Sequence, residues 1–258
     1  MTSPSFEIGP RFDALLRANG IEPFARITTD AGGLAVPHAT TCVAIRGTDG
    51  VVIAGDRRAT SGNLISHREM DKVMQADTYS GVAIAGAAGT AMEMVKLFQL
   101  QIEHYEKVEG QSLSLEGKAN QLSLFVRNNL PAAMQGLMVV PIFAGFEPST
   151  GSSRIWAYDA TGGRYEEKDF VATGSGMLHA STTIRLGWKS TINVQGAIEL
   201  ACRSLWQAAE ADSATGGYDP VRGIVPSVAT IDSEGFRFVG TDAVAAVFSS
   251  ISEEVRNS

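Results

Sequence analysis

The chain has 258 residues, 44% hydrophobic and 19% charged, which is enough for one full domain and too apolar for intrinsic disorder. A net charge of -7 at pH 7 offers no basic surface for nucleic acid, and no uncharged apolar run is long enough to span a bilayer. Two cysteines, Cys42 and Cys202, make no disulfide framework; both lie in apolar-patterned segments and read as buried free thiols, with the cytoplasm as the default compartment.

Residues 1–39 read as a leader separate from the core. They hold one short helical pattern, Phe12 to Leu16, stopped by Gly20, and then a turn-rich stretch with Pro23, Gly32, Gly33 and Pro37. Glu7, Asp13 and Glu22 interrupt this segment, so it lacks the apolar centre of a secretory signal. From Thr40 the pattern turns strand-like. Thr40 to Arg46 and Val51 to Asp56 flank Gly47-Thr48-Asp49-Gly50, a hairpin signal. A polar loop leads to a short segment around Lys72-Val73-Met74, and Ser80 to Gly86 is the next strand. Ala91, Val95, Phe98, Ile102 and Tyr105 then fall at helical spacing up to Gly110. Ser114 caps a second helix carrying Leu115, Ala119, Leu122 and Val126 on one face, and Pro131 should kink or end it.

Further strands are predicted at Val139 to Phe146, Arg154 to Asp159, Arg164 to Glu167 and Phe170 to Thr173. A helix is expected over Ser175 to Leu186, and a stronger one carries Val194, Ile198, Ala201, Leu205 and Ala208. Val225 to Asp232, a turn at Ser233-Glu234-Gly235, and Phe236 to Val239 complete the strands. A last helix from Thr241 carries Val244, Phe248, Ile251 and Val255. Hairpins alternating with helix pairs exclude an all-parallel sheet. The order predicts an α+β fold, a four-layer αββα sandwich of two mainly antiparallel sheets with helices on both outer faces.

The chemistry-bearing residues cluster around Thr40. A threonine hydroxyl needs a base within hydrogen-bond reach, and if the bond between Ala39 and Thr40 is cut, the hydroxyl and a new amine share one residue. Such an amine has an unperturbed pKa of about 7.7–8.0 and suits that task. Lys72 beside the threonine would favour loss of the hydroxyl proton, and Asp56 at its strand end would hold the lysine. A surface ion pair of Asp56 and Lys72 is the plainer alternative. Gly86-Ala87-Ala88-Gly89-Thr90 ends a strand and opens a helix. Without a following lysine it is no phosphate loop, and an oxyanion donor at the Gly86 N–H fits it better, close helix–strand packing being the alternative. Gly174-Ser175-Gly176 is not the nucleophile elbow of α/β-hydrolases, because Thr173 and Met177 stand at the outer glycine positions. The four histidines show no metal-ligand spacing, and no cofactor is implied.

Thr40-Thr41, Gly55-Asp56-Arg57-Arg58-Ala59-Thr60, Lys72, Gly86, Gly174-Ser175-Gly176 and Asp212-Ser213-Ala214-Thr215-Gly216-Gly217 occur in the order and spacing of 20S proteasome β subunits. From about Ala39 to near Asp232 the chain resembles that family, in its actinobacterial type. The resemblance implies a threonine endopeptidase acting on unfolded proteins, with residues 1–39 a propeptide removed by self-cleavage and 40–258 the catalytic domain. It implies Thr40 as nucleophile, Asp56 and Lys72 as its charge relay, and Ser175, Asp212 and Thr215 around the threonine amine. Gly86 would supply the oxyanion N–H, while Thr60 and Ala88 would hold the substrate backbone like an added strand. Ala59, Met70, Met74, Ile84, Ala88 and Met92 would line an apolar specificity pocket.

By the same resemblance the partners are proteasome α subunits and other β subunits in a four-ring 28-mer of heptamers. An ATP-dependent unfoldase would feed it with substrates tagged by a small ubiquitin-like protein. Two residues depart from the family's usual pattern: Ala39 stands where glycine precedes the nucleophile, and Thr215 where archaeal and eukaryotic relatives have serine. Two rivals remain at this level. One is the two-ring heat-shock peptidase of the same fold, which has Gly-Asp-Gly-Gln where this chain has Gly-Asp-Arg-Arg. The other is a silent structural β subunit, which has usually lost the threonine or the lysine that this chain keeps.

Overall fold

The computed structural model describes residues 40–257; the leader, the helix expected at Phe12 to Leu16, and Ala39 lie outside the described residues. Strands β1 (Thr41–Arg46) and β2 (Gly50–Gly55) form the predicted hairpin, closed by the Gly47 N–H donating to the Gly50 carbonyl at 2.8 Å. β1 is flanked on its other side by β10 (Phe170–Gly174), and β2 by β11 (Ser227–Asp232), which pairs in turn with β12 (Gly235–Phe238). The first sheet therefore runs β10-β1-β2-β11-β12, antiparallel throughout.

The second sheet is a meander in the order β5 (Val73–Asp77), β6 (Ser80–Gly86), β7 (Val139–Glu147), β8 (Ser152–Tyr158) and β9 (Arg164–Glu167). Helices α1 (Ala88–Glu109) and α2 (Leu115–Asn128) cover its outer face, α4 (Met177–Gly187) and α5 (Val194–Ala211) cover the first sheet, and α6 (Thr241–Asn257) packs on α5. The result is the predicted αββα sandwich.

Alternation along β1 and β2 shows why two layers of core arise from one pair of strands. Cys42, Ala44, Val51 and Ile53 point into the space between the sheets and meet Ala83, Ile142 and Ile155 of the second sheet. Val43, Ile45, Val52 and Ala54 point the other way and meet Ile184, Ala201, Leu205 and Phe248 of the helical layer. Both faces of these strands are buried, which is why they read as nearly continuous apolar runs. On the far face, Phe98 of α1 sits edge-on to Phe125 of α2 and Phe143 of β7, at centroid separations of 6.4 and 6.0 Å. A largely buried ion pair, Lys118 Nζ to Asp77 Oδ2 at 2.5 Å, ties α2 to the end of β5.

Helix ends follow local chemistry. Gly110 ends α1 with φ +69° and its N–H on the Glu106 carbonyl, and the Ser114 side chain accepts the Gly117 N–H at 3.1 Å to start α2. At Pro131 the structure goes further than a stop: α2 ends at Asn128 and a one-turn helix α3 (Leu130–Ala133) begins with the proline in its first turn, where no N–H is needed. The polar loop before Lys72 contains a small hairpin, β3 (Ala59–Ser61) with β4 (Leu64–His67). Every residue of β4 is exposed, so it lacks the apolar alternation that marks a strand in sequence. Val255 is half exposed rather than part of the buried stripe of α6. Among the described residues no helix is long and apolar enough to cross a membrane.

Burial governs the cysteines. It pushes the thiol of Cys42 up to about 12, against the lowering pull of the Lys72 charge, and that of Cys202 up to about 12, aided by Glu199. At pH 8 only about one molecule in ten thousand would carry either thiolate, the reactive form. A thiol reagent at pH 8 should therefore modify neither cysteine in the folded chain and both after unfolding, as counted by intact mass.

Candidate active site

Thr40 stands at the head of β1, buried, where the chain enters the corner made by β1, β2 and β10. Its carbonyl accepts the Ser175 N–H at 2.8 Å, and its own N–H donates to Ser175 Oγ at 3.4 Å. Ser175 follows directly on β10, so the β1–β10 pairing is what brings it to Thr40. Gly174 makes this approach possible. Its φ is +98°, and a Cβ there would overlap the Thr40 carbonyl.

Beneath Thr40 lies Asp56, fully buried at the end of β2. Its Oδ1 accepts the Thr41 N–H at 2.8 Å and Lys72 Nζ at 2.7 Å; its Oδ2 accepts the Gly216 N–H at 2.7 Å and the Arg58 N–H at 2.9 Å. A carboxylate offers about four acceptor sites, and here each is filled. Lys72 is 1% exposed and gives a second bond to the Arg58 carbonyl at 2.6 Å. The pair of Asp56 and Lys72 is therefore interior, and the surface ion-pair alternative is excluded. Lys72 stands immediately before β5, and the Ile84 N–H donates to its carbonyl at 2.9 Å, so the second sheet carries the lysine into the end of the first.

Gly86 ends β6 with φ +112°, where a Cβ would collide with the Met138 carbonyl. Along a strand, N–H groups two residues apart point to the same side. Since Ile84 donates toward the β5 side, the Gly86 N–H points to that side too, beyond the first residue of β5. Helix α1 starts two residues later with Ala87 as a cap that offers no side-chain bond. Close packing does not account for Gly89, where a Cβ would meet nothing within 4 Å.

The loop after α5 supplies the third group. Asp212 Oδ2 accepts Ser175 Oγ–H at 2.5 Å and Thr215 Oγ1–H at 2.6 Å, and its Oδ1 accepts the Ala214 N–H at 3.1 Å. Burial raises the Asp212 carboxyl, but these hydrogen bonds and the charge of His179 outweigh it and hold the group below the ordinary carboxylate value. Arg58 ties the same loop down through its guanidinium to the Ser213 carbonyl at 2.9 Å. Thr40, Asp56, Lys72, Ser175, Asp212 and Thr215 are thus one connected cluster, although they come from five places in the chain. Sequence reasoning gave no role to Thr41, nor to the backbone of Arg58 and Gly216. The signal for Thr41 was a polar residue opening an apolar strand; backbone donors and acceptors leave no residue-type signal. No group of His, Cys, Asp and Glu among the described residues is arranged to hold a metal.

The expected pocket residues are less tightly grouped. Met74 and Met92 line a cavity of about 470 Å³ with Arg57, Asp71, Val225 and Phe238. Ala59, Met70, Ile84 and Ala88 are not among its walls. Ala59 and Ile84 are buried, Met70 and Ala88 partly so. Arg57 and Asp71 pair at 3.1 Å, so that cavity has a charged rim as well as an apolar wall. Thr60 lies in the β3–β4 hairpin opposite Ile65, and Ala88 is the first residue of α1.

Comparison with known proteins gives a consistent result. The family model described as Proteasome subunit matches residues 36–221. The proteasome subunit beta of Acidimicrobium ferrooxidans is 49% identical over 253 residues, covering 98% of this chain and 93% of that protein. Those of Jonesia denitrificans and Streptomyces griseus are 52% and 53% identical over 203 and 206 residues. These alignments cover 79% and 80% of this chain, and 67% and 73% of the relatives.

The two partners of the buried pair should differ in what their loss costs. Asp56→Ala strips Thr41, Arg58, Gly216 and Lys72 of one shared acceptor and is expected to destabilise the chain by about 3–5 kcal/mol. Lys72→Met leaves Asp56 with three backbone N–H donors and should cost clearly less. Urea denaturation of the two unassembled variants measures the difference.

Proposed function

The chain belongs to the proteasome subunit family, in its β type, and on that premise we propose that it is a threonine-type endopeptidase whose nucleophile is Thr40. As a β subunit it is a protease that assembles with other proteasome subunits. The observation that carries the finer reading is the interior pair of Lys72 and Asp56, held against the Thr40–Thr41 backbone by the Thr41 N–H. A buried ion pair is a weak source of net stability, because desolvation offsets most of its attraction. An ammonium group kept there despite that cost suits an electrostatic role toward the Thr40 hydroxyl.

The chemistry begins with the leader. While residue 40 is linked to residue 39 its nitrogen is an amide and cannot act as a base. Cutting the Ala39–Thr40 bond turns it into an amine, ordinarily with a pKa of about 7.7–8.0. The Thr40 hydroxyl then adds to the substrate carbonyl and passes its proton to that amine, while Lys72 favours the developing alkoxide. The Gly86 N–H takes the negative oxygen of the tetrahedral adduct. Collapse of the adduct breaks the peptide C–N bond, the amine returns its proton to the leaving nitrogen, and an ester on Thr40 remains. Water then adds with the amine again as base, and breakage of the ester restores the hydroxyl. Ser175, backed by Asp212 and Thr215, holds the amine that performs both transfers. Thr60 and Ala88 align the substrate as an added strand, and Met74 and Met92, which share one cavity, favour an apolar side chain before the cut.

In this reading residues 1–39 are a propeptide, and the mature chain works in the cytoplasm inside a four-ring barrel of heptamers. An ATP-dependent unfoldase delivers its substrates, some of them tagged by a small ubiquitin-like protein. Two variants test the core of it. Thr40→Ala should assemble with its leader attached and cleave no fluorogenic peptide. The wild-type subunit should start at Thr40 by intact mass, and a functional subunit still starting at Met1 would overturn the reading. Lys72→Ala should lower turnover by about two to three powers of ten with peptide binding little changed.

Ala39 gives a separate expectation. Self-cleavage requires the Thr40 hydroxyl to reach the residue 39 carbonyl, so the chain must turn sharply there. A residue with a Cβ pays roughly 1–2 kcal/mol in a left-handed turn that glycine adopts freely, and about 1.4 kcal/mol is tenfold in rate. A time course of leader loss should therefore run faster for Ala39→Gly than for the wild type under matched assembly conditions.

A further inference from the structure

Thr41 has a fully buried hydroxyl on the helix-facing side of β1, in line with Val43 and Ile45. A hydroxyl in that apolar layer costs free energy unless it is bonded on both sides. It is bonded on both sides. The Gly176 N–H reaches Thr41 Oγ1 at 3.1 Å, and Thr41 Oγ1 lies 2.6 Å from Thr215 Oγ1. The fit is close enough that a Cβ on residue 176 would overlap Thr41 Oγ1.

Counting protons fixes the direction of these bonds. An ionised Asp212 can only accept, and it takes the Thr215 proton at 2.6 Å and the Ser175 proton at 2.5 Å. Thr215 has no second proton, so in its contact with Thr41 it is the acceptor and Thr41 the donor. Gly176, an N–H, can only donate to Thr41. On the other branch Ser175 has spent its proton on Asp212 and is left as acceptor for the N–H of residue 40 at 3.4 Å. The Thr40 carbonyl, 3.3 Å from Ser175 Oγ, competes for the same Ser175 proton and loses while Asp212 binds it more closely. The chain of protons thus runs from Gly176 through Thr41 and Thr215 to Asp212, and meets there the proton of Ser175.

We infer that Thr41 is a positioning residue for the reaction, its hydroxyl holding Thr215, and through it the Asp212 carboxylate, where Asp212 keeps Ser175 an acceptor facing the nitrogen of residue 40. The inference rests on the proposed threonine-protease reading, in which that nitrogen becomes the base. Removing the Thr41 hydroxyl takes from Thr215 its only donor in this chain, and leaves the buried Gly176 N–H without its acceptor. Thr215 is then free to turn, and the Asp212 carboxylate, no longer braced on that side, swings away from Ser175, whose proton turns to the Thr40 carbonyl.

The test uses the assembled particle with its own leader processing. Thr41→Val keeps shape and removes the hydroxyl; Thr41→Ser keeps the hydroxyl and removes a methyl. Thr41→Val is expected to lower kcat about ten- to a hundredfold with KM nearly unchanged, and Thr41→Ser to stay within about threefold of wild type. Combined with Thr215→Ala, Thr41→Val should add little further loss, because both act through one chain. Full activity of Thr41→Val, a loss in Thr41→Ser as large as in Thr41→Val, or fully additive losses would overturn the inference. So would failure of Thr41→Val to assemble when Thr41→Ser assembles, since the hydroxyl would then serve folding. An inactive wild-type particle would instead overturn the reading of the site on which the inference rests.

Discussion

Asp56 is the constraint on which the rest of the site depends. One buried carboxylate accepts from the backbone of β1, from the turn after β2, from the loop after α5 and from the lysine that leads into β5. These four donors come from segments as far apart as residues 41 and 216, so none of them can shift without leaving a buried polar group unpaired. The energetic asymmetry matters here. A fully satisfied interior charge adds little to net stability, whereas an unsatisfied one costs several kcal/mol. The arrangement therefore selects one geometry far more strongly than it stabilises the fold as a whole. That geometry holds the Thr40–Thr41 peptide still on one side while Ser175 grips it from the other.

The sandwich supplies the frame for this grip. β1 is a central strand with apolar contacts on both faces, and its first residues emerge where the two sheets meet. The first sheet delivers Thr40, Asp56 and Ser175; the second delivers Lys72 and Gly86; the helical layer delivers Asp212 and Thr215 through the loop that follows α5. Side chains placed on strand ends inherit the rigidity of a packed core, which is what positioning to a fraction of an ångström requires. Elsewhere the single chain leaves large apolar side chains in the open, among them Leu178 and Leu186 on α4 and Leu64 on β4. Such exposure suits a subunit that assembles with other proteasome subunits.

Much of this was legible in the chain. Nearly continuous apolar runs marked β1, β2, β6 and β7 within a residue of where they lie, because both faces of each are buried, and helical spacing marked α1, α2 and α5, because each buries one face. The β3–β4 hairpin was not legible, since its exposed residues follow no burial pattern. Thr40, Asp56, Lys72, Gly86, Ser175, Asp212 and Thr215 could be named from motif order. Their connection could not, and neither could the walls of the cavity that takes Met74 and Met92 but not Ala59 or Ile84.

The sequence by itself determined the order of elements, the two-layered burial of the central strands, and the identity of the side chains able to do chemistry. Those follow from periodicity and residue type, which are local. Only the tertiary structure decided that the Asp56–Lys72 pair is interior, that Gly216 and Arg58 contribute through their backbones, and that Thr41 donates to Thr215 rather than the reverse. Apart from the Arg58 N–H, which reaches Asp56 two residues away, these depend on burial and on hydrogen bonds between residues more than a dozen positions apart, and backbone N–H and C=O groups are the same in every residue but proline.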